Sequence, residues 1–225
     1  MERIFDIIFS SLAMIILMPL LLPILLILWL SGEGEIFFSQ ERIGKNGRPF
    51  KLLKFATMLK NSPNIGTGTV TMSNDPRILP VGQFLRKTKI NELPQLINIL
   101  IGDMSIIGPR PLTKQTFDAY PSLTQQTIIQ VRPGLSGIGS IIFRGEEEIM
   151  HGAAASVDFY NSVIAPYKGT IEVWFVVNKG LYLYVLAIAL TVWAVLSPKT
   201  SVHWHLLKEL PKPPEVLKSA LNYLP

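Results

Sequence analysis

The sequence IIFSSLAMIILMPLLLPILLILWL occupies positions 7–30 and contains no charged side chain over twenty-four residues. A straight α-helix of that length would be about 36 Å long, enough to cross the hydrocarbon layer of a bilayer. A cleaved signal peptide is a poor match, because the apolar core is too long and no small-residue cleavage site follows it. We therefore predict an N-terminal membrane helix.

Two prolines, Pro19 and Pro23, lie in the middle of this segment. Each removes a backbone N–H donor and clashes with the preceding turn, so each favours a bend. Arg3 precedes the segment and five lysines and arginines lie between positions 42 and 54, which weakly favours both ends on the cytoplasmic side. Two topologies stay open, a full span and a re-entrant helix that breaks at the prolines.

The overall composition restricts the class of partner. Hydrophobic residues make up 48% of the chain and charged residues 16%, and the net charge is +5. A basic, apolar protein can meet nucleic acid, anionic lipid or phosphorylated substrates. We predict no nucleic-acid binding, because the sequence contains no zinc pattern, RNP motif or long basic helix. The absence of cysteine excludes disulfides and thiolate metal sites.

Polar, turn-rich sequence follows the apolar segment. Short strands are predicted on both sides of a turn at 44–47, and Asn91 is predicted to cap a helix that carries Pro94 in its first turn. The sixteen apolar residues at 181–196 are short for a span and predict a helix lying on the membrane or packed over the domain. The proline-containing tail predicts a linker with a short surface helix. The predicted helices cover 91–100, 121–130, 156–167, 181–196 and 215–223.

Several motifs occur in the central part of the chain. The most informative is RKTKINELPQ at 86–95, followed by GDMS at 102–105 and GPRP at 108–111. Others are FFSQERIG at 37–44, KF at 54–55, DPR at 75–77 and VRPGLSG at 131–137. Together, and in this order, they strongly resemble the monotopic polyprenyl-phosphate phosphoglycosyl transferases, the bacterial sugar transferase family. The resemblance covers about residues 1–196.

This resemblance implies an α/β fold with a small, mainly helical catalytic core, a few short strands and interfacial amphipathic helices. It implies a re-entrant membrane helix at 1–32, a catalytic domain at 33–200 and a tail at 201–225. It also implies Mg²⁺, a UDP-sugar donor and an undecaprenyl phosphate acceptor, in a bacterial inner membrane with the catalytic domain facing the cytoplasm. Membrane lipids are further partners, and a homo-oligomer or downstream glycosyltransferases stay open.

The chemistry implied by the family fits the cations in the motifs. Transfer of a sugar phosphate brings anionic groups together, and the planar guanidinium of arginine can bind two phosphate oxygens at once. The alternative is that these cations only meet lipid headgroups. We place Arg110 in the site because its Pro-Arg-Pro frame is stiff. The predicted substrate-binding residues are Lys54, Arg86, Arg110, Arg132, Arg144 and Asp158.

One departure from the family motif concerns the nucleophile. The family carries an Asp-Glu pair whose Asp forms a covalent phosphosugar intermediate, but this chain has Asn91 followed by Glu92. A neutral amide cannot replace a carboxylate nucleophile. We name Asn91 and Glu92 as the catalytic position and Glu92 as the Mg²⁺ ligand.

The substitution leaves three mechanisms open. In the first, Glu92 carries the chemistry, alone or with another acid such as the glutamates at 146–148. In the second, the lipid phosphate attacks the donor directly while Glu92 holds Mg²⁺. In the third, the protein is catalytically silent, and it binds sugar nucleotide or organises a glycan assembly pathway.

Overall fold

The computed structural model describes residues 2–31, 33–64, 75–145, 149, 157–197, 201–207 and 209–223. The chain divides into two compact units. The anchor unit comprises Asp6–Glu41 and Lys51–Gly102, and the C-terminal unit comprises Met1–Phe5, Arg42–Phe50 and Asp103–Pro225. These units interleave along the chain, whereas the domains expected at 1–32, 33–200 and 201–225 are consecutive; those boundaries stay predictions.

The long apolar segment forms one helix, α1 (Glu2–Leu30), which contains both Pro19 and Pro23. By length and composition α1 could cross a membrane, since its most apolar window has a mean hydropathy of 2.8 and is only 11% buried. Ile24 and Leu28 are exceptions, because they pack in the apolar cluster of the anchor unit. The helix is therefore compatible with membrane anchoring, while the re-entrant bend stays a prediction.

Short elements follow α1 along the chain. The turn expected at 44–47 is confirmed: a 3₁₀ turn, Lys45–Gly47, lies between two paired strands, and Asn46 and Gly47 adopt positive φ there. Asn98, which is 1% exposed, accepts a hydrogen bond from Leu53 N–H at 2.9 Å and donates one to the Lys51 carbonyl at 2.8 Å. The elements are β1 (Phe37–Ile43), β2 (Pro49–Phe55), α2 (Pro80–Lys87) and α3 (Gln95–Ile101).

The predicted helix start at Asn91 is wrong. Asn91 lies in a separate 3₁₀ turn, Ile90–Glu92, and α3 begins at Gln95 with Pro94 at its N-cap. Pro94 has no N–H with which to bond the carbonyl four residues earlier, so the preceding N–H groups form shorter-range bonds, as in Leu93 N–H to the Ile90 carbonyl. Asn91 therefore does not cap α3, and α3 does not present its N-terminal N–H groups there.

The C-terminal unit is mainly helical and contains two short parallel strands. Ser105 pairs with Gly134 and Ile107 with Ser136. Together with the anchor unit, this confirms the expected architecture of many helices and a few short strands. The elements are β3 (Ser105–Ile107), α4 (Lys114–Asp118), α5 (Ser122–Ile128), β4 (Gly134–Ser136), α6 (Ile138–Ile142), α7 (Val157–Phe159), α8 (Ala165–Asn178), α9 (Leu181–Leu196), α10 (Val202–Leu206) and α11 (Glu215–Lys218).

The helix expected at 156–167 is much longer than predicted. It runs from α7 through a π-helical turn, Tyr160–Ile164, into α8 and ends at Asn178. Pro166 directly follows the π-helical turn, where the regular hydrogen bonding of the α-helix is already interrupted. Gly169 is explained by packing, since a Cβ there would lie 3.0 Å from a side-chain carbon of Thr124 on α5. Both residues are therefore compatible with a helix that continues to Asn178.

Helix α9 has the bounds that the apolar pattern predicted. One of its faces is buried against the unit through residues that include Leu183, Ala187 and Leu190. The opposite face exposes Tyr182 and Trp193, which are 79% and 50% accessible. The helix thus packs over its unit and presents an apolar face outward.

The tail differs from the expected surface linker. Leu207, Leu210, Leu217 and Leu221 all join the main apolar cluster of the C-terminal unit, and Leu217 is fully buried. Tyr167 donates a hydrogen bond to the Pro211 carbonyl at 2.8 Å, which holds the proline-containing segment in place. The prediction treated the prolines as a linker signal and did not weigh the leucines between and after them.

His203 in this tail is 3% exposed, and its ring lies 4.8 Å from that of Trp204. Neither ring nitrogen has a hydrogen-bond partner in the described part of the chain. Burial lowers the pKa of His203 to about 4. The imidazole is therefore packed as a neutral aromatic group.

We expect Asn98→Ala to lower the free energy of unfolding by about 2–3 kcal/mol, because the Leu53 N–H and the Lys51 carbonyl of β2 both lose their side-chain partner. Thermal unfolding in detergent followed by tryptophan fluorescence measures the effect. Asn64→Ala is the control, since Asn64 is exposed and its side chain bonds the nearby Asn61. An Asn98→Ala variant as stable as Asn64→Ala would contradict this role.

We also expect His203 to make the free energy of unfolding decrease as the pH is lowered. The unfolded chain takes up a proton near the ordinary pKa of histidine, whereas the folded state resists protonation down to about pH 4, so acidification favours unfolding. Between about pH 7.5 and about pH 5, the wild type should lose about 2 kcal/mol more stability than His203→Phe. Urea unfolding at both pH values tests this, and His205→Phe, which alters an exposed ring, should behave like the wild type.

Candidate active site

Two predicted site residues form an ion pair in the anchor unit. The Lys54 ammonium on β2 donates a hydrogen bond to Glu92 Oε1 at 2.9 Å, across 38 positions of sequence. Both side chains are about three-quarters buried. Partly exposed ion pairs of this kind add little to the free energy of unfolding. The pair therefore matters mainly because it holds a cation next to a carboxylate.

Asn91 precedes Glu92 and is 7% exposed. Its side-chain oxygen, Oδ1, is buried and has no hydrogen-bond partner within the described residues. Leaving a buried acceptor unpaired is costly and calls for a specific explanation, such as an ion or a ligand atom that completes it. Lys89, which starts this turn, has φ 61°, a left-handed conformation that is uncommon outside glycine and concentrates at functional sites.

Arg86 belongs to the same unit. It lies in the last turn of α2, which packs against the Ile90–Glu92 turn. Its guanidinium is half-buried, and one N–H group donates to the sulfur of Met58 at 3.8 Å, a weak interaction. The anchor unit therefore contains four of the predicted site residues, Lys54, Arg86, Asn91 and Glu92.

Arg110 and Arg132 lie on adjoining segments of the C-terminal unit. The Pro109 carbonyl accepts a hydrogen bond from Gly134 N–H at 2.8 Å, and Ser105 N–H donates to the Pro133 carbonyl at 2.9 Å. The approach is so close that a Cβ on Gly108 would lie 2.5 Å from the Arg132 carbonyl oxygen. Two motifs that are separate in the sequence are thus brought side by side. Arg110 is exposed and Arg132 is half-buried.

A buried acid that the sequence analysis missed lies behind Arg110. Glu172 on α8 is 2% exposed, and its Oε1 accepts a hydrogen bond from the Arg110 backbone N–H at 3.3 Å. Burial raises the pKa of Glu172 to about 7, against the opposing effects of that N–H and of the positive charges of Lys168 and Arg110. The available signal was a lysine and a glutamate four residues apart in an apolar helical stretch.

The other two predicted residues, Arg144 and Asp158, are both exposed in the C-terminal unit. Arg144 follows α6, and Asp158 lies in α7, where its backbone carbonyl accepts a hydrogen bond from the Ser162 hydroxyl. Their predicted roles in binding substrate stay predictions. The glutamates at 146–148, considered as an alternative acid, lie outside the described residues.

Comparisons with known proteins agree with the motifs. The family model for the bacterial sugar transferases matches residues 1–198. The exopolysaccharide production protein ExoY of Sinorhizobium fredii is 36% identical over 171 residues, which cover 70% of this chain and 74% of that protein. The UDP-glucose:undecaprenyl-phosphate glucose-1-phosphate transferase of Escherichia coli is 36% identical over 178 residues, which cover 78% of this chain and 37% of the larger relative.

A third relative is the UDP-N-acetylgalactosamine-undecaprenyl-phosphate N-acetylgalactosaminephosphotransferase of Aeromonas hydrophila. It is 33% identical over 200 residues, which cover 87% of this chain and 44% of that protein. The matches to all three proteins, and the family model across almost the whole sequence, extend well beyond any single motif. The chain belongs to the bacterial sugar transferase family.

Proposed function

We propose that this protein transfers a sugar phosphate from a UDP-sugar to undecaprenyl phosphate, giving undecaprenyl-diphosphate sugar and UMP and initiating a surface glycan. The family match over residues 1–198 is the observation that carries this proposal. The names of the relatives support it, because two describe this reaction type and one describes exopolysaccharide production. In the reaction, an acceptor phosphate oxygen ends up bonded to the β-phosphorus of the donor, whose bond to UMP breaks.

Both substrates are anionic, so the reaction requires cations that lower the repulsion between them. Lys54 and Arg86 in the anchor unit, and Arg110 and Arg132 in the C-terminal unit, are the residues we propose for contacting phosphate oxygens. The support for Arg110 and Arg132 is their presentation on adjoining, proline-stiffened segments. Arg144 and Asp158 are included as further substrate-binding residues because the family motif places such groups at these positions.

We propose that Mg²⁺ assists this chemistry. Within the described ranges, no three His, Cys, Asp or Glu side chains gather into a metal site. Mg²⁺ does not require such a cage, since it commonly takes one or two protein oxygens and completes its shell with water and substrate phosphates. Glu92 and the buried, unpaired oxygen of Asn91 fit that requirement as oxygen donors. Bound Mg²⁺ would neutralise charge on the donor diphosphate.

For the mechanism we propose that Glu92 is the nucleophile, because it is the carboxylate left in the Asn91–Glu92 pair. A Glu92 oxygen would attack the β-phosphorus, forming an acyl phosphate that carries the sugar and releasing UMP. An oxygen of undecaprenyl phosphate would then attack that phosphorus and free the carboxylate. Lys54, bonded to Glu92 at 2.9 Å, would orient the side chain and offset charge at the phosphorus.

We further propose that α1 is re-entrant, with Pro19 and Pro23 at its bend, and that the catalytic residues face the cytoplasm at the inner membrane. Positive charge on both flanks of α1 supports this topology. The outward face of α9, with Tyr182 and Trp193 exposed, fits contact with lipid at the interface. Such a placement lets a water-soluble donor meet a lipid-linked acceptor.

Purified protein supplied with undecaprenyl phosphate, Mg²⁺ and a panel of UDP-sugars should release UMP with at least one donor. Glu92→Gln should lower the rate by a factor of about a hundred or more, because the amide cannot act as the nucleophile. Coupled detection of UMP measures the rate. Glu209→Gln, which alters an exposed acid in the tail, is the matched control and should retain full activity.

UMP release by Glu92→Gln at the wild-type rate would remove Glu92 from the chemistry. The absence of UMP with every donor would favour the alternative function, a catalytically silent membrane protein that binds sugar nucleotide or organises a glycan assembly pathway.

A covalent intermediate should also be visible without the acceptor. We expect labelled UMP to exchange into UDP-sugar in the absence of lipid, and we expect Asn91→Asp to increase this exchange at least several-fold by adding the carboxylate typical of the family. Thin-layer separation of labelled nucleotides measures it. Turnover with lipid but no exchange without it would indicate direct attack by the lipid phosphate and would rule out the covalent route.

A further inference from the structure

We propose that Glu172 is a positioning residue for Arg110, holding the backbone of this phosphate-binding arginine from inside the fold. The inference rests on the proposed function, because it assumes that Arg110 binds substrate phosphate. It adds a residue that neither the motifs nor the relatives' names point to. Three structural features support it: the backbone of the Pro-Arg-Pro segment, the packing around the carboxylate, and the charges that face it.

The backbone of the Pro-Arg-Pro segment offers a single hydrogen-bond donor. Pro109 and Pro111 have no backbone N–H, so the Arg110 backbone N–H is the one main-chain donor in these three residues. That donor bonds Glu172 Oε1 at 3.3 Å. The Pro109 carbonyl is held separately by Gly134 N–H. Glu172 therefore completes the restraint on the backbone of Arg110, whose side chain is exposed.

Packing fixes the carboxylate in one place. Glu172 is 2% exposed, and α8 packs against α5 and α6. A Cβ on Gly139 of α6 would lie 2.5 Å from Glu172 Oε1, so the oxygen rests against the bare Cα of this glycine. The carboxylate has no room to shift toward α6. The carboxylate that accepts the Arg110 hydrogen bond is therefore held in a fixed position, as a positioning role requires.

The charges around Glu172 are unusual for a core. Lys168 precedes it by one helical turn and is 4% exposed, with its ammonium 5.3 Å from the centre of the Phe143 ring. The neighbouring helices α5 and α6 contribute no titratable side chain, so the charged groups facing Glu172 are Lys168 and Arg110. Its second oxygen, Oε2, is buried without a hydrogen-bond partner in the described part of the chain. Burying an acid with an unpaired oxygen lowers the free energy of unfolding, so its presence here calls for an explanation.

The hydrogen bond between Glu172 and the Arg110 backbone should also depend on pH. Its pKa of about 7 means that the carboxylate is ionised above neutrality and protonated below it. A charged acceptor binds an N–H more strongly than a neutral one, so the restraint on Arg110 weakens as the pH falls through about 7. Substrate affinity that depends on Arg110 should fall with it.

The test is a double-mutant cycle on the full chain in lipid nanodiscs, with UDP as the probe and calorimetry as the readout. Arg110→Ala and Glu172→Gln should each weaken UDP binding, by about ten-fold and about three- to ten-fold. The double variant should bind UDP no more weakly than Arg110→Ala, because Glu172 acts through Arg110. The wild-type advantage over Glu172→Gln should shrink between about pH 8 and about pH 6, and Arg110→Ala at each pH corrects for titration of UDP itself.

A core control separates positioning from stability. Ile171→Val on the same helix should lower the midpoint of thermal unfolding by about 2–5 °C and leave UDP affinity unchanged. Losses that simply add in the double variant, or a Glu172→Gln variant that binds UDP like the wild type, would overturn the inference. So would a wild type that does not bind UDP. Because binding is measured without turnover, failure of UMP release tests the proposed reaction separately.

Discussion

The close approach of three glycines is the constraint on which the C-terminal unit depends. A Cβ on Gly134 would lie 2.1 Å from the Gly108 nitrogen, and a Cβ on Gly137 would lie 2.1 Å from the Gly108 carbonyl oxygen. Any larger residue would push the backbones apart and break the parallel pairing of β3 with β4. The same contact sets the directions in which the segments bearing Arg110 and Arg132 leave the strands. The placement of the two arginines that we propose for phosphate binding thus depends on backbone packing.

Buried polar groups fall into two kinds. Some are fully engaged and structural: Asn98 joins α3 to β2 through both ends of its amide, and Arg77, 5% exposed, donates to both carboxylate oxygens of Asp75. Others have a buried atom that no described residue pairs, as in Asn91 and Glu172. The unpaired ring nitrogens of His203 belong to a neutral ring packed in the core, whereas for Asn91 and Glu172 the proposed function supplies the explanation that an unpaired buried acceptor calls for. Both lie at or directly behind predicted substrate-binding residues.

Much of the architecture follows from local sequence patterns. The charge-free run that became α1, the turn around Asn46 and Gly47, and the apolar run that became α9 each follow from composition and residue order over short distances. The motifs around Arg86, Glu92 and Arg110 were sufficient to indicate the family, which the match over residues 1–198 establishes. Hydrophobic periodicity, turn chemistry and motif order need no knowledge of distant contacts.

Other features depend on contacts that no local pattern contains. The predicted helix at 156–167 stopped eleven residues short of its actual end, and the tail was predicted to be a linker although its leucines pack in the core. The pairing of Lys54 with Glu92, and of Arg110 with Glu172, joins residues 38 and 62 positions apart. Residue order alone therefore predicts the long apolar helix and indicates the family. Tertiary packing determines which charges meet and which polar atoms are buried, because those energies arise only when distant segments exclude water together.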